Sequence, residues 1–303
     1  MKLSIITINY NNAAGLEKTM QSVLSQTSQE FEYIVVDGAS TDGSIDIIQQ
    51  FNNSTIQQFN WVSEPDNGIY HAMNKGIRMA KGDYVQFLNS GDWLVDERVV
   101  DLMLAKLANN DILVGRKVSV QVNSMAYVDN NIIESLSLHT LYKSTIQHPS
   151  AYIRRSLFDK YGFYDESLKI VSDWKWYINV IVLHEVKVSF VDVFVTFFDT
   201  SGISCSNFDL DKVERRKVLE ELIPKRILVD YDMYSFNLEQ INRLKHYPIF
   251  YKLFWLMERS LFKFEKLKLR FTRQKHYSTY RNKKNDNSNA AMYAPFGGVY
   301  SLP

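Results

Sequence analysis

Short apolar runs alternate with stretches of helical periodicity along the first 115 residues. SIITI at 4–8 predicts a buried strand, after which Leu16, Met20, Val23 and Leu24 recur at the spacing of one helix face. FEYIVVD at 31–37 predicts a second strand, followed by a helix from about Gly43 to Phe51 that carries Ile45, Ile47 and Ile48. FNWV at 59–62 predicts a third strand. Tyr70, Met73, Ile77 and Ala80 mark one face of a further helix, which Gly82 stops before the strand DYVQFL at 83–88. DILVG at 111–115 adds a fifth strand. Strands and helices in this alternation predict an α/β fold, a mostly parallel sheet with helices packed on its faces.

From 117 to about 200 the pattern loosens into antiparallel-looking pieces, KVSVQV, AYVDNNII and SAYIRR, with one helix near 173–184 and the strand EVKVSFVDVFVTFF. The expected organisation is two lobes on one continuous sheet over 1–205, divided at 115/116 into a parallel half and a smaller mixed lobe. A helical extension over 206–246, a basic amphipathic helical segment over 247–282 and an unstructured end over 283–303 follow. No internal repeat occurs at solenoid periods. No run of 18 or more uncharged apolar residues occurs either; the nearest stretch, 177–198, contains His184, Glu185, Lys187 and Asp192.

A chain of 303 residues builds its core without covalent staples, and Cys205 as the only cysteine excludes an internal disulfide. A single thiol fits a reducing compartment, and the opening MKLSIITINY reads at once as a strand and not as a secretory leader. The net charge of +1 hides an asymmetry. Residues 1–242 hold 22 basic and 31 acidic side chains, whereas 243–284 carry thirteen Lys and Arg against Glu258 and Glu265 alone. The chain is thus a mildly acidic body with a strongly basic tail.

Three stretches carry candidate chemistry. In VVDGASTDGS, Asp37 ends a buried strand before a Gly/Ser/Thr-rich turn, where an acid in an open sheet can accept from a base N–H or ribose hydroxyls. An ordinary loop with Ser40, Thr41 or Asp42 capping the next helix reads as well. A calcium loop is excluded, because Ala39, Thr41 and Asp42 stand where two oxygen ligands and a glycine are needed. Neither G-x-G-x-x-G nor G-x-x-x-x-G-K-[ST] occurs. In EPDNGIYHAMNKGIRMAKGDYVQFLNSGDWL, a turn of Pro65, Asp66, Asn67 and Gly68 opens a helix, and a strand ends in Asn89, Ser90, Gly91 and Asp92. A carboxylate beside an amide and a hydroxyl suits Mg²⁺ or Mn²⁺, and a plain turn explains the same tetrapeptide. In QHPSAYIRRSLFDKYGFYDESLKIVSDWKWYINVIV, Asp173 heads an apolar helix, a position also explained by capping.

In order and spacing, SIITINYNN, VVDGASTDGS, EPDNGIYHAMNKGI and AKGDYVQFLNSGDWL resemble the nucleotide-binding half of family 2 inverting glycosyltransferases of the GT-A fold. The resemblance covers 1 to about 96 strongly and 145–205 more weakly, and is nearest to enzymes assembling bacterial exopolysaccharide, capsule or lipopolysaccharide. It implies a nucleotide-diphosphate sugar donor held by Thr7, Asp37, Asp66, Asn67, Lys75 and Asn89, with Thr7 and Asp37 at the base and ribose and Lys75 toward the pyrophosphate. It places the divalent metal, Mg²⁺ or Mn²⁺, on Asp92. Many relatives have D-A-D-D where this chain has N-S-G-D, so one carboxylate of the acidic motif remains. It implies Asp173 as the base that deprotonates the acceptor hydroxyl, with inversion, and places His148 and Trp174 on the acceptor side. Trp174 and Trp176 could stack on a sugar face, but read rather as core or lobe-interface residues. The loop DTSGISCSN at 199–207 is similar to a segment near the donor phosphates, where Gly202 lets backbone approach a ligand. Processive members carry Q-x-x-R-W and flanking membrane helices; this sequence has neither, which implies single-sugar transfer to a glycan or lipid-linked glycan.

The segment PIFYKLFWLMERSLFKFEKLKLRFTRQKHY sets Phe250, Phe254, Leu256, Met257, Leu261, Phe264, Leu267 and Phe271 among regularly spaced Lys and Arg. Such a helix lies in the headgroup plane of an anionic membrane surface. The location expected is therefore cytoplasmic, peripheral at the inner face of the cell membrane. A helix packing on the enzyme or on a second copy is the alternative; nucleic acid is not expected as a partner, since no recognised module accompanies the charge. Two rival functions are a carbohydrate- or nucleotide-binding protein without turnover, and a nucleotidyltransferase, which needs a basic phosphate loop that INYNNAAG lacks.

Overall fold

The computed structural model describes residues 1–51, 58–120, 126–128 and 136–285. The chain divides into two units, Met1–Val229 and Asp230–Pro303. In the first, the alternating segments form β1 (Leu3–Asn9), α1 (Ala13–Leu24), β2 (Phe31–Asp37), α2 (Ser44–Phe51), β3 (Phe59–Ser63), α3 (Ile69–Met79) and β4 (Tyr84–Phe87). Then come β5 (Trp93–Leu94), α4 (Val99–Leu104), β6 (Ile112–Val120), β7 (Ala126–Val128), α5 (Leu138–Lys143), β8 (Ala151–Arg154) and α6 (Ser156–Tyr161). The unit's later part holds α7 (Ser172–Tyr177), which runs on into a π-helical turn (Ile178–Leu183), then β9 (Val188–Asp199), α8 (Ile203–Ser206) and α9 (Phe208–Leu222). Helix α10 (Lys225–Lys245) begins in the first unit, and α11 (Pro248–Asn285) belongs to the second.

All seven residues of β1 and of β2 are buried, as continuous apolar runs require when helices cover both faces of a sheet. Side chains alternate between two cores. Leu3, Ile5, Tyr33 and Val35 pack with Leu16, Met20 and Val23 of α1, while Ile6, Ile8, Ile34 and Val36 pack with Tyr70, Met73 and Ile77 of α3. Among the described residues, nine strands form one sheet ordered β3-β2-β1-β4-β8-β6-β9-β5, with β7 paired to β6.

β1, β2, β3 and β4 are parallel as expected. The fifth strand is displaced: β8, a later segment, lies antiparallel between β4 and β6. Hydrophobic pattern specifies burial, not the neighbour in the sheet. The run at 111–115 and the described part of 117–122 join into one strand, Ile112–Val120, that crosses residues 115 and 116; 121 and 122 lie outside the described residues. Gly115 allows it: a β-carbon there would sit 2.3 Å from Val195 Cγ2 and 2.8 Å from Val193 O, so only glycine lets β9 close against β6. β6 and β9 are parallel, contrary to the antiparallel expectation for 117–122, with register shifts around Arg116. Of the predicted AYVDNNII strand, 129–133 lie outside the described residues, as do 286–303 of the expected unstructured end.

Candidate functional site

The carboxyl ends of β1 and β4 open on a cavity of about 670 Å³, lined among others by Asn9, Asp66, Asn89, Asp92, His148 and Asp173. Three separated motifs meet there. The turn after β4 is pinned by Thr19 of α1, whose hydroxyl accepts from Gly91 N at 3.0 Å and donates to Asp92 O at 2.6 Å. Gly91 sits at φ 106, the left-handed region that glycine adopts without strain, and turns the Asp92 carboxylate inward. Asp92 Oδ1 accepts from Asp199 N at 2.9 Å, and Asp199 also lines the cavity. Asp92 is 4 % exposed, and burial pushes its carboxyl up to about 7; the Asp199 N–H and His148 offset that only in part, and the Asp199 carboxylate adds to it.

Across the cavity, Asp173 is buried at the head of α7. His148 Nδ1 lies 3.1 Å from Asp173 Oδ2, and the Tyr70 hydroxyl lies 3.0 Å from Asp173 Oδ1 and also bonds Ile170 O. Burial alone would raise the Asp173 carboxyl, but the hydrogen bonds from His148 and the Tyr70 hydroxyl outweigh it and hold the group below the ordinary carboxylate range. His148 Nε2 in turn lies 3.2 Å from Asn89 Nδ2. With Asn89 Nδ2 as donor, Nε2 accepts and the proton sits on Nδ1, where it donates to Asp173. A continuous line of contacts thus joins the turn after β4 to the head of α7.

Asp37 is fully buried beside the cavity and not in its wall. It accepts from Asn9 Nδ2 at 2.8 Å, Ser40 Oγ at 2.6 Å, Ser40 N at 2.9 Å and Ser63 Oγ at 2.6 Å. Burial would raise its carboxyl; these donors outweigh burial and hold it low. The residue that faces the cavity is Asn9, which Asp37 orients. Asp66 faces the cavity and accepts from Gly68 N at 2.9 Å, while Asn67 is exposed outside the wall.

Besides Asp37 and Asn67, three further expected ligand contacts do not reach the cavity. Thr7 is fully buried, donating to Leu88 O at 2.7 Å and accepting from the Tyr33 hydroxyl at 2.9 Å, so its hydroxyl joins β1 to its neighbours. Lys75 pairs with Glu64 at 2.9 Å and donates to Pro65 O at 3.2 Å, steadying the turn before Asp66. Trp174 is 1 % exposed, donates to Leu141 O at 2.6 Å and carries Arg215 over its ring, so it offers no face to a sugar. Sequence reasoning missed Tyr70 and Asp199 as site residues. Tyr70 looked like one more apolar position on α3, whereas Asp199 opens the DTSGISCSN loop and was within reach of that signal.

The family model for Glycosyl transferase family 2 matches residues 4–164, more than half of the chain. A PGL/p-HBAD biosynthesis glycosyltransferase of Mycobacterium bovis (strain BCG / Pasteur 1173P2) is 28% identical over 211 residues, 69% of this chain and 80% of that protein. A putative teichuronic acid biosynthesis glycosyltransferase of Bacillus subtilis (strain 168) is 37% identical over 107 residues, 34% of this chain and 42% of that protein. Among solved structures, S. aureus TarS 1-349 in complex with UDP-GlcNAc superposes with a TM-score of 0.57 at 20% identity, covering 74% of this chain and 72% of that one. A mannosyltransferase of Pyrobaculum calidifontis in complex with GDP-Man and Mn²⁺ gives 0.52 at 18%, covering 64% and 56%. With the α/β sheet, the turn after β4 and the cavity at the strand ends agreeing with that match, the chain belongs to glycosyl transferase family 2, on a GT-A fold.

Proposed function

We propose that this chain transfers a single sugar from a nucleotide-diphosphate sugar to an acceptor hydroxyl, with inversion, in the assembly of a bacterial surface polysaccharide or glycolipid. The observation that carries the reading is a carboxylate held ionised by His148 and Tyr70 across one cavity from Asp92. A base must be unprotonated and face the proton it removes. Asp173 takes the acceptor proton as that oxygen bonds the anomeric carbon and the bond to the nucleoside diphosphate breaks. The Nδ1 proton of His148 and the Tyr70 hydroxyl keep the carboxylate oriented while it does so. Asn9 and Asp66 hold the nucleotide, and Lys117 in the cavity wall offers positive charge to its phosphates. The neighbours' bound UDP-GlcNAc, UDP and GDP-Man support a donor of that kind.

The residues also fit a divalent cation. Among the described residues no group of three or more His, Cys, Asp or Glu could hold a metal ion. Mg²⁺ and Mn²⁺, however, bind through one or two carboxylates plus substrate phosphates. Asp92, buried and pushed up to about 7, with Asp199 beside it, is such a carboxylate pair. Bound there, the ion would offset the charge of the departing diphosphate.

In the second unit, α11 exposes Phe250, Leu253, Met257, Leu261, Phe264 and Leu267. At about 100° per residue, Lys252, Arg259, Lys263, Lys266 and Arg270 fall within an arc of about 60° away from that face, whereas Lys268 falls on the apolar face and Trp255 and Leu256 border the basic arc. No described helix is long and apolar enough to cross a membrane. This pattern supports α11 lying on an anionic membrane surface, where each basic residue contributes about 1 kcal/mol. Calorimetry of a panel of UDP-, GDP- and dTDP-sugars with and without Mn²⁺, followed by assay of nucleoside diphosphate release, tests the function. Donor binding with no release under any acceptor would leave a binding protein in place of an enzyme.

A further inference from the structure

The matched family segment ends at residue 164, before both Asp173 and α9. One side chain of α9 nevertheless reaches the loop that carries Asp173. Glu214 is 7 % exposed, and its carboxylate accepts from three successive backbone amides: Lys169 N at 2.8 Å, Ile170 N at 2.9 Å and Val171 N at 3.3 Å. Val171 is the residue before α7, and Asp173 is the second residue of that helix. The same loop is gripped from the opposite side by Tyr70, whose single hydroxyl proton is shared between Ile170 O and Asp173 Oδ1.

We infer that Glu214 is a positioning residue for the reaction: it fixes the 169–171 backbone so that Asp173 meets His148 and Tyr70 in the cavity. This rests on the reading of Asp173 as the base. A buried carboxylate is tolerated only where donors satisfy it, and three N–H groups do so here. An apolar side chain in its place would leave those amides without partners just before the helix, the Ile170 and Val171 N–H groups buried. The other contacts from α9 are of a different kind. Glu221, paired with Lys175 at 2.7 Å, is half exposed, and such pairs contribute little. Arg215 is committed to Asp211 at 2.9 Å and to the Trp174 ring. Of these α9 side chains, Glu214 is the one that bonds the backbone leading into Asp173. A helix outside the matched segment thereby belongs to the catalytic apparatus.

The test compares Glu214→Gln, Glu214→Asp and Asp173→Asn in the full-length chain. The Gln variant turns an NH₂ toward amide donors and breaks at least one of the three bonds; the Asp variant keeps the charge one methylene short and serves where the Gln variant does not fold. Amide exchange at 169–171 should accelerate at least about 10-fold, with exchange in β1 and β2 unchanged. Turnover of the sugar nucleotide picked out by the panel should fall about 10-fold to 100-fold, the scale of a catalytic group displaced by about 1 Å. Calorimetric binding of UDP, GDP or dTDP, whichever the protein takes, should stay within about twofold. Faster exchange at 169–171 with parental turnover would overturn the inference and leave Glu214 a stabilising residue only. Parental turnover in Asp173→Asn would instead overturn the base assignment, whatever the Glu214 variants do.

Discussion

Replacing Asp173 with asparagine separates catalysis from folding, because the surrounding hydrogen bonds can be rebuilt around the amide. Its Oδ1 still accepts from the Tyr70 hydroxyl, 3.0 Å away in the parent. Its Nδ2 then faces His148 Nδ1, which must give up its proton, so the imidazole adopts the Nε2–H tautomer. That N–H meets Asn89, whose buried Oδ1 has no partner, and a flip of the Asn89 amide brings that oxygen round to accept. Every pair is restored, so the stability change should stay near the net worth of one hydrogen bond, about 1 kcal/mol. Turnover has no such rescue. An amide cannot take the acceptor proton, and losing a general base costs about 100-fold to 10,000-fold, or about 3 to 5 kcal/mol of barrier. Thermal unfolding, calorimetric donor binding and nucleoside diphosphate release should therefore show a folded, donor-binding, nearly inactive protein. Release within about fivefold of the parent, with unfolding unchanged, would return Asp173 to a helix-capping role.

Asp92→Asn should abolish the activating response to Mn²⁺ while leaving the melting temperature equal or higher, since it removes a buried, disfavoured charge and keeps an acceptor for Asp199 N; an unchanged Mn²⁺ titration refutes the assignment. Asp165 has a folded pKa lowered from 3.8 to about 2, because hydrogen bonds from Lys175 and Ser167 outweigh burial. Its stabilisation is thus full above about pH 4 and lost as pH falls toward 2. Partial exposure discounts it to about 1 kcal/mol, so Asp165→Asn should trail the parent by that much at pH 7 in denaturant melts and match it near pH 2; a gap independent of pH would count against the linkage. A chain ending after residue 246 should keep donor binding and lose sedimentation with anionic vesicles, which in the full chain should weaken as salt rises; a full-length protein that ignores such vesicles refutes the membrane role of α11.

The parallel core was legible because β1 and β2 are continuous, nearly apolar runs of seven residues and α3 keeps one helical face over eleven. What escaped was short or non-local. β5 has two residues, α4, α5 and α6 have six each, and no window that small carries a period. The insertion of β8 beside β4 depends on the pairing of Tyr84 with Arg154, seventy residues away, and nothing local to either strand announces it.

The site divides along the same line. Asn89, Asp92, His148 and Asp173 stand at strand or helix ends, where motif reasoning applies, and the fold brings all four to one cavity. Thr7, Lys75 and Trp174 were read from the same motifs and fell outside it, because a motif fixes the backbone position and not the direction of a side chain. Thr7 points along the side of β1 that packs with α1, Lys75 is drawn to Glu64, and Trp174 follows the apolar face of α7. The residues that tune Asp173 came from elsewhere: Tyr70 lies 103 positions away along the chain and His148 lies 25 away. Both were visible as residues, but their shared contact with Asp173 was not. An ionised carboxylate buried to this degree requires such donors, so the presence of Asp173 at a buried helix head demands partners of this chemistry, and only the folded chain says which side chains supply them.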